Sequence, residues 1–381
     1  MPLIDQRIFA EKIRRVIQIT RCISERTPHA NEAANNMSKK SILYTIKVAL
    51  IASSIGSLYF VPWSLVHAWI LPLPNSLQAQ ADEAVKHGFE GIVIYVDQAG
   101  EPARKVTSGW HDREAKIPAK PDALFKIASI SKLYDAVAVT KLAHDEKLDL
   151  DGVLTAYLPE LKGRIQHAEQ ITLSMLIQHR SGIPNFTDAP GFWGDTAKSY
   201  QECLDLILDQ PARFTPGQDY EYCNTNYLLL NRIMDDALGY SNFAYIQGEI
   251  LDPLGLEDTY GKLQDVPLDR VMGGYHIGYP DNLKADEHGM VSTAQDVGRF
   301  VRALNNGTVF EAGERQTYAS VYEFEHSGWV PGYQSFAEYH ADLDAVVVVF
   351  YNTTDEDLLY WNLAEIINSR IAKVLNSGTV Q

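Results

Sequence analysis

A long run of hydrophobic residues follows the polar N-terminal part of the chain. From Val48 to Ala81 the sequence contains no Asp, Glu, Lys or Arg, and its most apolar part covers 48–73. A helix that crosses a bilayer needs about 20 mostly apolar residues. The pattern therefore predicts an N-terminal membrane-spanning helix over 48–73. A buried helix of the globular domain that follows is the alternative.

The charge changes sign across this run. Residues 1–47 carry nine Lys and Arg against four Asp and Glu, a net charge of +5, whereas the remainder carries −21. Basic residues favour the cytoplasmic side of a span. We therefore predict a basic cytoplasmic segment over 1–47, a linker over 74–81 and an extracytoplasmic (periplasmic) domain over 82–381, held as a single-pass protein on a bacterial cytoplasmic membrane.

A cleaved signal segment is the second interpretation of the same run. Ala79 and Ala81 form an A-x-A-like pattern before Asp82, and cleavage near Ala81 would release a secreted domain. The apolar run is longer than the usual signal core of about 7–15 residues, which favours an uncleaved anchor. A basic stretch follows Met37, so the start at Met1 or at Met37 stays open.

Composition argues against nucleic acid as a partner and leaves open whether two cysteines form a disulfide. The whole chain has a formal charge of −16, and so acidic a body would repel the phosphates of nucleic acid. The three cysteines, Cys22, Cys203 and Cys223, are too few for a disulfide framework. A bridge between Cys203 and Cys223 stays possible.

The body alternates between strand and helix patterns in a particular order. Strands are predicted near both ends and helices between them, which indicates one sheet whose two halves are far apart in sequence. The predicted strands are 91–100, 103–110, 332–340 and 344–352. The predicted helices are 129–144, 198–209, 224–238, 243–251, 292–304 and 356–375. This order predicts an α+β fold with a mostly helical insertion.

Ser129 and Lys132 are the first candidates for chemistry. They stand three residues apart at the predicted start of a helix, so both side chains lie on one face. A serine hydroxyl alone is a poor nucleophile, but a lysine held against it can accept its proton. Two polar residues on a solvated helix face are the plain alternative.

The surrounding sequence resembles the serine β-lactamase and penicillin-binding protein family, in its class C-like branch of D-alanyl-D-alanine carboxypeptidases, D-aminopeptidases and esterases. The segments that carry the resemblance run in order through 82–375: "GWHDREAKIPAKPDALFKIASISKLYDAVAV", "LIQHRSGIPNF", "TPGQDYEYCNTNYLLLNRI", "ILDPLGLEDT", "GMVSTAQDVGRF" and "HSGWVPGYQS". The resemblance implies the β-lactamase/transpeptidase-like fold, an antiparallel sheet flanked by helices plus a mostly helical region. It also implies that Ser129 is the nucleophile.

The family's second motif is Y-x-N, and it occurs here at Tyr222, Tyr240 and Tyr360. Only Tyr222 has the family's upstream Pro-Gly and an apolar helix directly after it. The resemblance then implies that Tyr222 shares the proton transfer with Lys132, and that Asn224 orients Lys132 and binds the substrate. Cys223 departs from the usual serine between them.

The third motif is K-T-G or H-x-G on a strand, and the H-x-G strings begin at His276 and His326. Only the second is followed by "PGY" and a strand pattern. The resemblance implies that His326, Ser327 and Gly328 bind substrate, and that the N–H groups of Ser129 and Trp329 form an oxyanion hole. His179 is interpreted as a residue that fixes a loop.

Acyl transfer through an enzyme-bound ester of Ser129 is the activity that the resemblance implies, with no metal and no cofactor. The membrane position favours a D-alanyl peptidase acting on cell-wall-like peptides. A small-ester carboxylesterase and a class C-type β-lactamase are the alternatives, so the substrate is a D-amino-acid peptide, an ester or a β-lactam. A protein that binds peptidoglycan or penicillin without turnover is the alternative outside catalysis.

Overall fold

The computed structural model describes residues 39–59, 61–194, 198–286 and 289–377. The predictions that concern residues 1–38, among them the start at Met37 and most of the basic segment 1–47, lie outside the described residues. The chain divides into two compact units, Met1–Trp63 and Ser64–Gln381. The described part of the first is mainly one helix, and the second holds the sheet and the candidate site.

Helices and strands follow the predicted order. The α-helices are α1 Lys39–Leu58, α2 Trp63–Ile70, α3 Leu77–Lys86, α4 Ser131–His144, α5 Leu154–Tyr157, α6 Leu173–Ile177, α7 Tyr200–Asp205, α8 Asn224–Leu238, α9 Asn242–Ile246, α10 Asp252–Leu254, α11 Ala294–Asn306, α12 Glu314–Val321 and α13 Leu359–Asn376. The strands are β1 Gly91–Gln98, β2 Arg104–Asp112, β3 Ile117–Pro118, β4 Phe125–Lys126, β5 Thr259–Tyr260, β6 Tyr275–His276, β7 Val291–Ser292, β8 His326–Val330, β9 Tyr333–His340, β10 Ala345–Tyr351 and β11 Thr353–Thr354.

One antiparallel sheet joins the two ends of the body. Its six strands run in the order β3-β2-β1-β10-β9-β8. Strand β1 pairs with β10 in a register that places Ile94 opposite Val349. The two halves of the sheet are therefore joined by a pairing between residues about 250 positions apart. The helices from α4 to α12 are inserted between these halves in the sequence. The α+β prediction is confirmed.

The sheet is covered on both faces, which explains why its central strands are apolar throughout. In β1, Ile92 and Ile94 pack in a cluster with α3 and α13, whereas Val93 and Tyr95 pack in the larger cluster that contains α4 and α11. Successive side chains of a strand point to opposite faces. Both faces of the sheet therefore contribute to the core.

The predicted membrane-spanning helix is wrong. Among the described residues, no helix is both long enough and apolar enough to cross a bilayer. The apolar run is divided, because α1 ends at Leu58 and α2 begins at Trp63, with Pro62 between them; proline disfavours a helix that continues through it. Helix α1 also includes three lysines, and α2 has only eight residues. The predictions that rest on this span are therefore wrong as well. They are the single-pass topology, the membrane as a partner and the periplasmic localisation.

Residues on both sides of the predicted cleavage position belong to the packed body. Helix α3 starts after Ser76, whose hydroxyl accepts a hydrogen bond from Ala79 N–H at 3.1 Å. Leu77 and Ala81 are buried in the cluster with α13. Arg370 of α13 donates to the carbonyl of Leu71 at 2.8 Å. Cleavage near Ala81 would therefore divide a packed helix.

Candidate active site

Ser129 lies in a 3₁₀ turn, Ala128–Ile130, that leads directly into α4. The preceding residue, Ala128, has a φ of 49°, which is strained for a residue with a Cβ and is found most often at functional sites. The turn is held from the sheet, because the Ser335 hydroxyl donates to Ile127 O at 2.9 Å. Helix α4 is buried along most of its length, so the turn sits on a rigid support.

Lys132 connects the serine to the second motif. Its Nζ lies 3.1 Å from Ser129 Oγ and 2.9 Å from Asn224 Oδ1. The same Nζ stands 5.1 Å above the ring of Tyr222 and 5.3 Å above the ring of Tyr227. Lys132 is buried, and three-residue spacing on a helix brings it to the serine. Three of the predicted site residues are thus joined by one ammonium group.

The segment that carries Tyr222 and Asn224 is fixed by hydrogen bonds to two neighbouring loops. Cys223 N–H donates to His179 Nδ1 at 3.1 Å, and Asn224 N–H donates to Asn185 Oδ1 at 3.0 Å. The Tyr222 hydroxyl is buried and has no hydrogen-bond partner among the described residues. A buried hydroxyl left unpaired costs free energy, which is typical of a group kept for a reacting partner.

Both histidines at the site are held neutral near pH 7. Burial, with Lys132 and His326 adding, lowers the pKa of His179 to about 3. Burial and Lys132 lower the pKa of His326 to about 4. His179 accepts from a backbone N–H, which supports its interpretation as a residue that fixes a loop. His326 keeps the predicted place beside Tyr222, with ring centroids 6.2 Å apart, but it lacks the charge that would bind a carboxylate.

Strand β8 lies at the edge of the sheet, next to the serine turn. A Cβ built on Gly328 would stand 2.4 Å from Ile127 O and 3.0 Å from Ala128 Cβ, so this glycine lets the strand touch the turn. Val330 and Tyr333 close a two-residue hairpin. Because hydrogen-bonded and non-bonded pairs alternate along such a hairpin, the N–H of Trp329 points away from β9 to the open edge. That direction fits the predicted oxyanion hole.

Aromatic side chains line the outer side of this edge. The Trp329 ring meets the Trp193 ring edge to face at 5.6 Å, and Trp193 meets Phe192 at 5.1 Å. The ring of His276 lies 6.2 Å from Trp329. The loop that contains Phe192 and Trp193 therefore reaches β8 and gives the site an apolar wall.

Two of the rejected motif copies lie away from the site. Tyr240 is exposed after the end of α8, and Tyr360 packs against Phe89 with ring centroids 5.2 Å apart. His276 is buried and its Nδ1 pairs with the Thr354 hydroxyl at 2.7 Å. Cys203 and Cys223 are free thiols in the described part of the chain, so the possible bridge is not formed.

Sequence reasoning did not find two further parts of the site. Tyr322 stacks on His326 at 5.9 Å, and no sequence signal marks it. Asp135 is buried one helical turn after Lys132, and the extended spacing S-x-x-K-x-x-D could have indicated it. Among the described residues, no group of three His, Cys, Asp or Glu side chains could hold a metal ion.

A comparison with protein families agrees with this arrangement. The model of the Beta-lactamase family matches residues 77–365, which is well over half of the chain. The chain therefore belongs to the Beta-lactamase family, as the resemblance of its motifs implied.

Individual relatives and a solved structure are similar to this chain. Protein flp of Staphylococcus aureus (strain MW2) is 27% identical over 211 residues, 54% of this chain and 42% of that protein. The chain thus spans less than half of that relative's length. Esterase EstB of Burkholderia gladioli is 28% identical over 262 residues, 63% of this chain and 64% of that protein. The D-amino acid amidase of Ochrobactrum anthropi SV3 superposes with a TM-score of 0.70 at 24% identity, over 80% of this chain and 99% of that chain. The last likeness shows the fold.

Proposed function

We propose that this protein is a serine hydrolase that works through an acyl-enzyme on Ser129, with Lys132 and Tyr222 as proton carriers. The observation that carries the proposal is the position of Lys132 Nζ between Ser129 Oγ, at 3.1 Å, and Asn224 Oδ1, at 2.9 Å. A solvated helix face, the plain alternative for this pair, does not fit a buried lysine.

The geometry suits a lysine that accepts the serine proton. A neutral Lys132 amine donates one hydrogen to Asn224 Oδ1 and directs its lone pair at the Ser129 hydroxyl. As that proton moves to Nζ, Oγ forms a bond to the carbonyl carbon of the substrate. The carbonyl π electrons move to its oxygen, and the N–H groups of Ser129 and Trp329 stabilise this oxyanion.

Collapse of this intermediate completes acylation. The bond to the leaving group breaks while the Tyr222 hydroxyl gives its proton to the leaving atom, and the Lys132 ammonium returns a proton to Tyr222. Water then attacks the acyl carbon by the same route in reverse, and Ser129 regains its proton as the acid departs. Protons and electron pairs balance over the two steps.

The substrate that we propose is an uncharged ester or amide of a small carboxylic or D-amino acid. A D-alanyl carboxypeptidase binds a free carboxylate, and the neutral His326 offers a hydrogen bond there without a positive charge. The membrane position that favoured cell-wall peptides no longer applies. The names of two similar proteins, an esterase and a D-amino acid amidase, support the same choice.

A matched pair of substrates tests this proposal. The full chain would be assayed with one D-Ala-D-Ala peptide as its free carboxylate and as its methyl ester, beside p-nitrophenyl butyrate and a fluorescent penicillin. We expect kcat/KM for cleavage of the D-Ala-D-Ala amide bond to be higher with the ester than with the carboxylate by about tenfold or more. A carboxylate that enters the site is desolvated without a cation to pair with it, which costs about 1–3 kcal/mol, roughly 5- to 150-fold.

The variant His326→Lys is the internal control, because it supplies the missing cation. It should narrow the difference between the two forms of the peptide. Preferred turnover of the free carboxylate by the unaltered protein would instead establish the D-alanyl carboxypeptidase. A lasting penicilloyl adduct without turnover of any substrate would favour the binding protein.

A further inference from the structure

Three aromatic rings stand beside Ser129 without taking part in the proposed proton transfers. They belong to Phe192 and Trp193, in the 3₁₀ turn Phe192–Gly194, and to Trp329 of β8. All three are half-buried. They meet edge to face, with ring centroids 5.1 Å apart between Phe192 and Trp193 and 5.6 Å apart between Trp193 and Trp329. Sites for small ligands are lined mainly by such side chains, beside a few polar groups that fix orientation.

The loop that carries two of these rings is fixed to the catalytic segment at its other end. The Asn224 side-chain amide donates to Thr187 Oγ1 at 3.1 Å, while Asn224 Oδ1 accepts from Lys132 Nζ at 2.9 Å. Trp193 follows Thr187 by six positions and reaches the ring of Trp329. The loop therefore starts against the groups that activate the serine and ends against the strand of the proposed oxyanion hole. Its rings are held at the site from both sides.

The order of residues along β8 indicates which end of the substrate meets these rings. His326 lies beside Tyr222, with ring centroids 6.2 Å apart, and Tyr222 is the proposed proton donor to the leaving group. Trp329 follows His326 by three positions, and because a strand rises about 3.3 Å per residue it lies roughly 10 Å further along the edge. The leaving group is therefore at the His326 end of the strand. The acyl group extends toward the rings.

Given the proposed function, we propose that the rings of Phe192, Trp193 and Trp329 form an aromatic subsite for an aromatic side group on the acyl part of the substrate. The preferred substrate is then an ester or amide of an aryl-substituted carboxylic acid or of an aromatic D-amino acid. An aryl group there packs against the rings while the carbonyl lies in the oxyanion hole, whereas a methyl group leaves more of this apolar surface in contact with water. The subsite determines specificity and takes no part in the chemical step.

Pairs of substrates that differ by one phenyl group are the first test. The full chain would be assayed with the p-nitrophenyl esters of 3-phenylpropanoic and propanoic acid, and with the p-nitroanilides of D-phenylalanine and D-alanine. We expect the phenyl member of at least one pair to have a kcat/KM about tenfold or more higher, since apolar contacts of this size discriminate by such a factor. Benzyl and methyl propanoate place the phenyl group in the leaving group instead. Equal rates in both acyl pairs, or a larger preference for the benzyl ester, would overturn the proposal.

Trp193→Ala removes one ring of the aromatic subsite and none of the groups that transfer protons. The preference for the phenyl substrate should fall about threefold or more, with kcat/KM for its partner little changed. Trp193→Phe keeps a ring and should keep most of the preference. Trp69→Ala is the matched control, because Trp69 is 73% exposed on α2, which packs with α3 and α13 on the opposite face of the sheet. A preference that Trp193→Ala leaves as high as Trp69→Ala does would overturn the proposal.

The last test does not depend on turnover. In the full-length variant Ser129→Ala, labelled with ¹⁵N at the indole nitrogens, 3-phenylpropanamide should shift the resonances of Trp193 and Trp329. Propanamide at the same concentration should leave them in place. Indole resonances that do not respond to 3-phenylpropanamide would overturn the proposal. If they shift as expected and the unaltered full chain turns over no ester or amide, the proposed function fails while the aromatic subsite stands.

Discussion

Gly328→Ala tests the contact that places strand β8 on the serine turn. The new Cβ would stand 2.4 Å from Ile127 O and 2.5 Å from Ser335 Oγ. The Ser335 hydroxyl can rotate, at the loss of its hydrogen bond to Ile127 O. The backbone carbonyl cannot, so either β8 or the turn must move. This movement separates the two N–H groups of the proposed oxyanion hole, those of Ser129 and Trp329.

The expected loss has two parts. Overpacking in a buried contact costs about 1–3 kcal/mol, which for a domain of this size lowers Tm by roughly 2–5 °C. A displaced oxyanion donor costs on the order of 10²–10³ in kcat, so we expect the activity of the folded variant to fall at least about tenfold. Activity should therefore suffer more than stability.

Thermal unfolding and kcat/KM with p-nitrophenyl butyrate measure the two parts. Gly248→Ala is the matched control, because no heavy atom of the described residues lies within 4 Å of the new Cβ and φ is ordinary. This control variant should keep the Tm and the kcat/KM of the unaltered protein, or gain slightly in Tm. If Gly328→Ala behaved like this control, the proposed packing of β8 on the serine turn would be refuted.

Two other changes probe the hydrogen bonds behind the site. Asn224→Ala removes the acceptor of the hydrogen bond from Lys132, which becomes a charged bond as Nζ takes the Ser129 proton. A charged bond is worth about 1.5–3 kcal/mol, so kcat/KM should fall roughly 10- to 150-fold. Thr187→Val removes only the neutral bond from the Asn224 amide to the Thr187 hydroxyl and should cost about tenfold or less. Equal losses would contradict this ranking. Because His179 has a pKa of about 3 when folded and about 6.5 when unfolded, the unfolded chain binds the extra proton between these values. The contribution of the neutral His179 to the free energy of unfolding is therefore complete above pH 6.5. It falls as the pH falls, by about 2 kcal/mol at pH 5. His179→Asn should therefore lose less Tm between pH 7 and pH 5 than the unaltered protein, and an equal loss would show that His179 does not govern this range.

Local sequence signals predicted most of the body correctly. Helix α8 spans Asn224–Leu238 as expected, since Gly239 after it adopts the left-handed conformation that ends helices. Helix α11 begins at Ala294, two residues later than predicted, because the Thr293 hydroxyl accepts from Asp296 N–H and caps the helix there. Strands of two residues, such as β4 and β7, were missed because they are too short to show a period.

The errors arose where hydropathy was averaged over a structural break. The run 48–73 has the length and composition of a span, yet Pro62 divides it into two helices. Tyr322 was missed because it meets the site through residues that are distant in sequence. Its ring lies 5.8 Å from the ring of Tyr227 and 6.4 Å from the ring of His179, and no local pattern encodes these contacts.

Intact mass after reaction with a serine-directed acylating probe, such as a fluorophosphonate or a penicillin, is the most direct measurement of the central claim. We predict one adduct per chain on the peptide that contains Ser129, slower labelling in Lys132→Ala, and none in Ser129→Ala. A mass increase that survives Ser129→Ala, or an unaltered mass with every probe and no turnover of any ester or amide, would contradict the proposed acyl-enzyme.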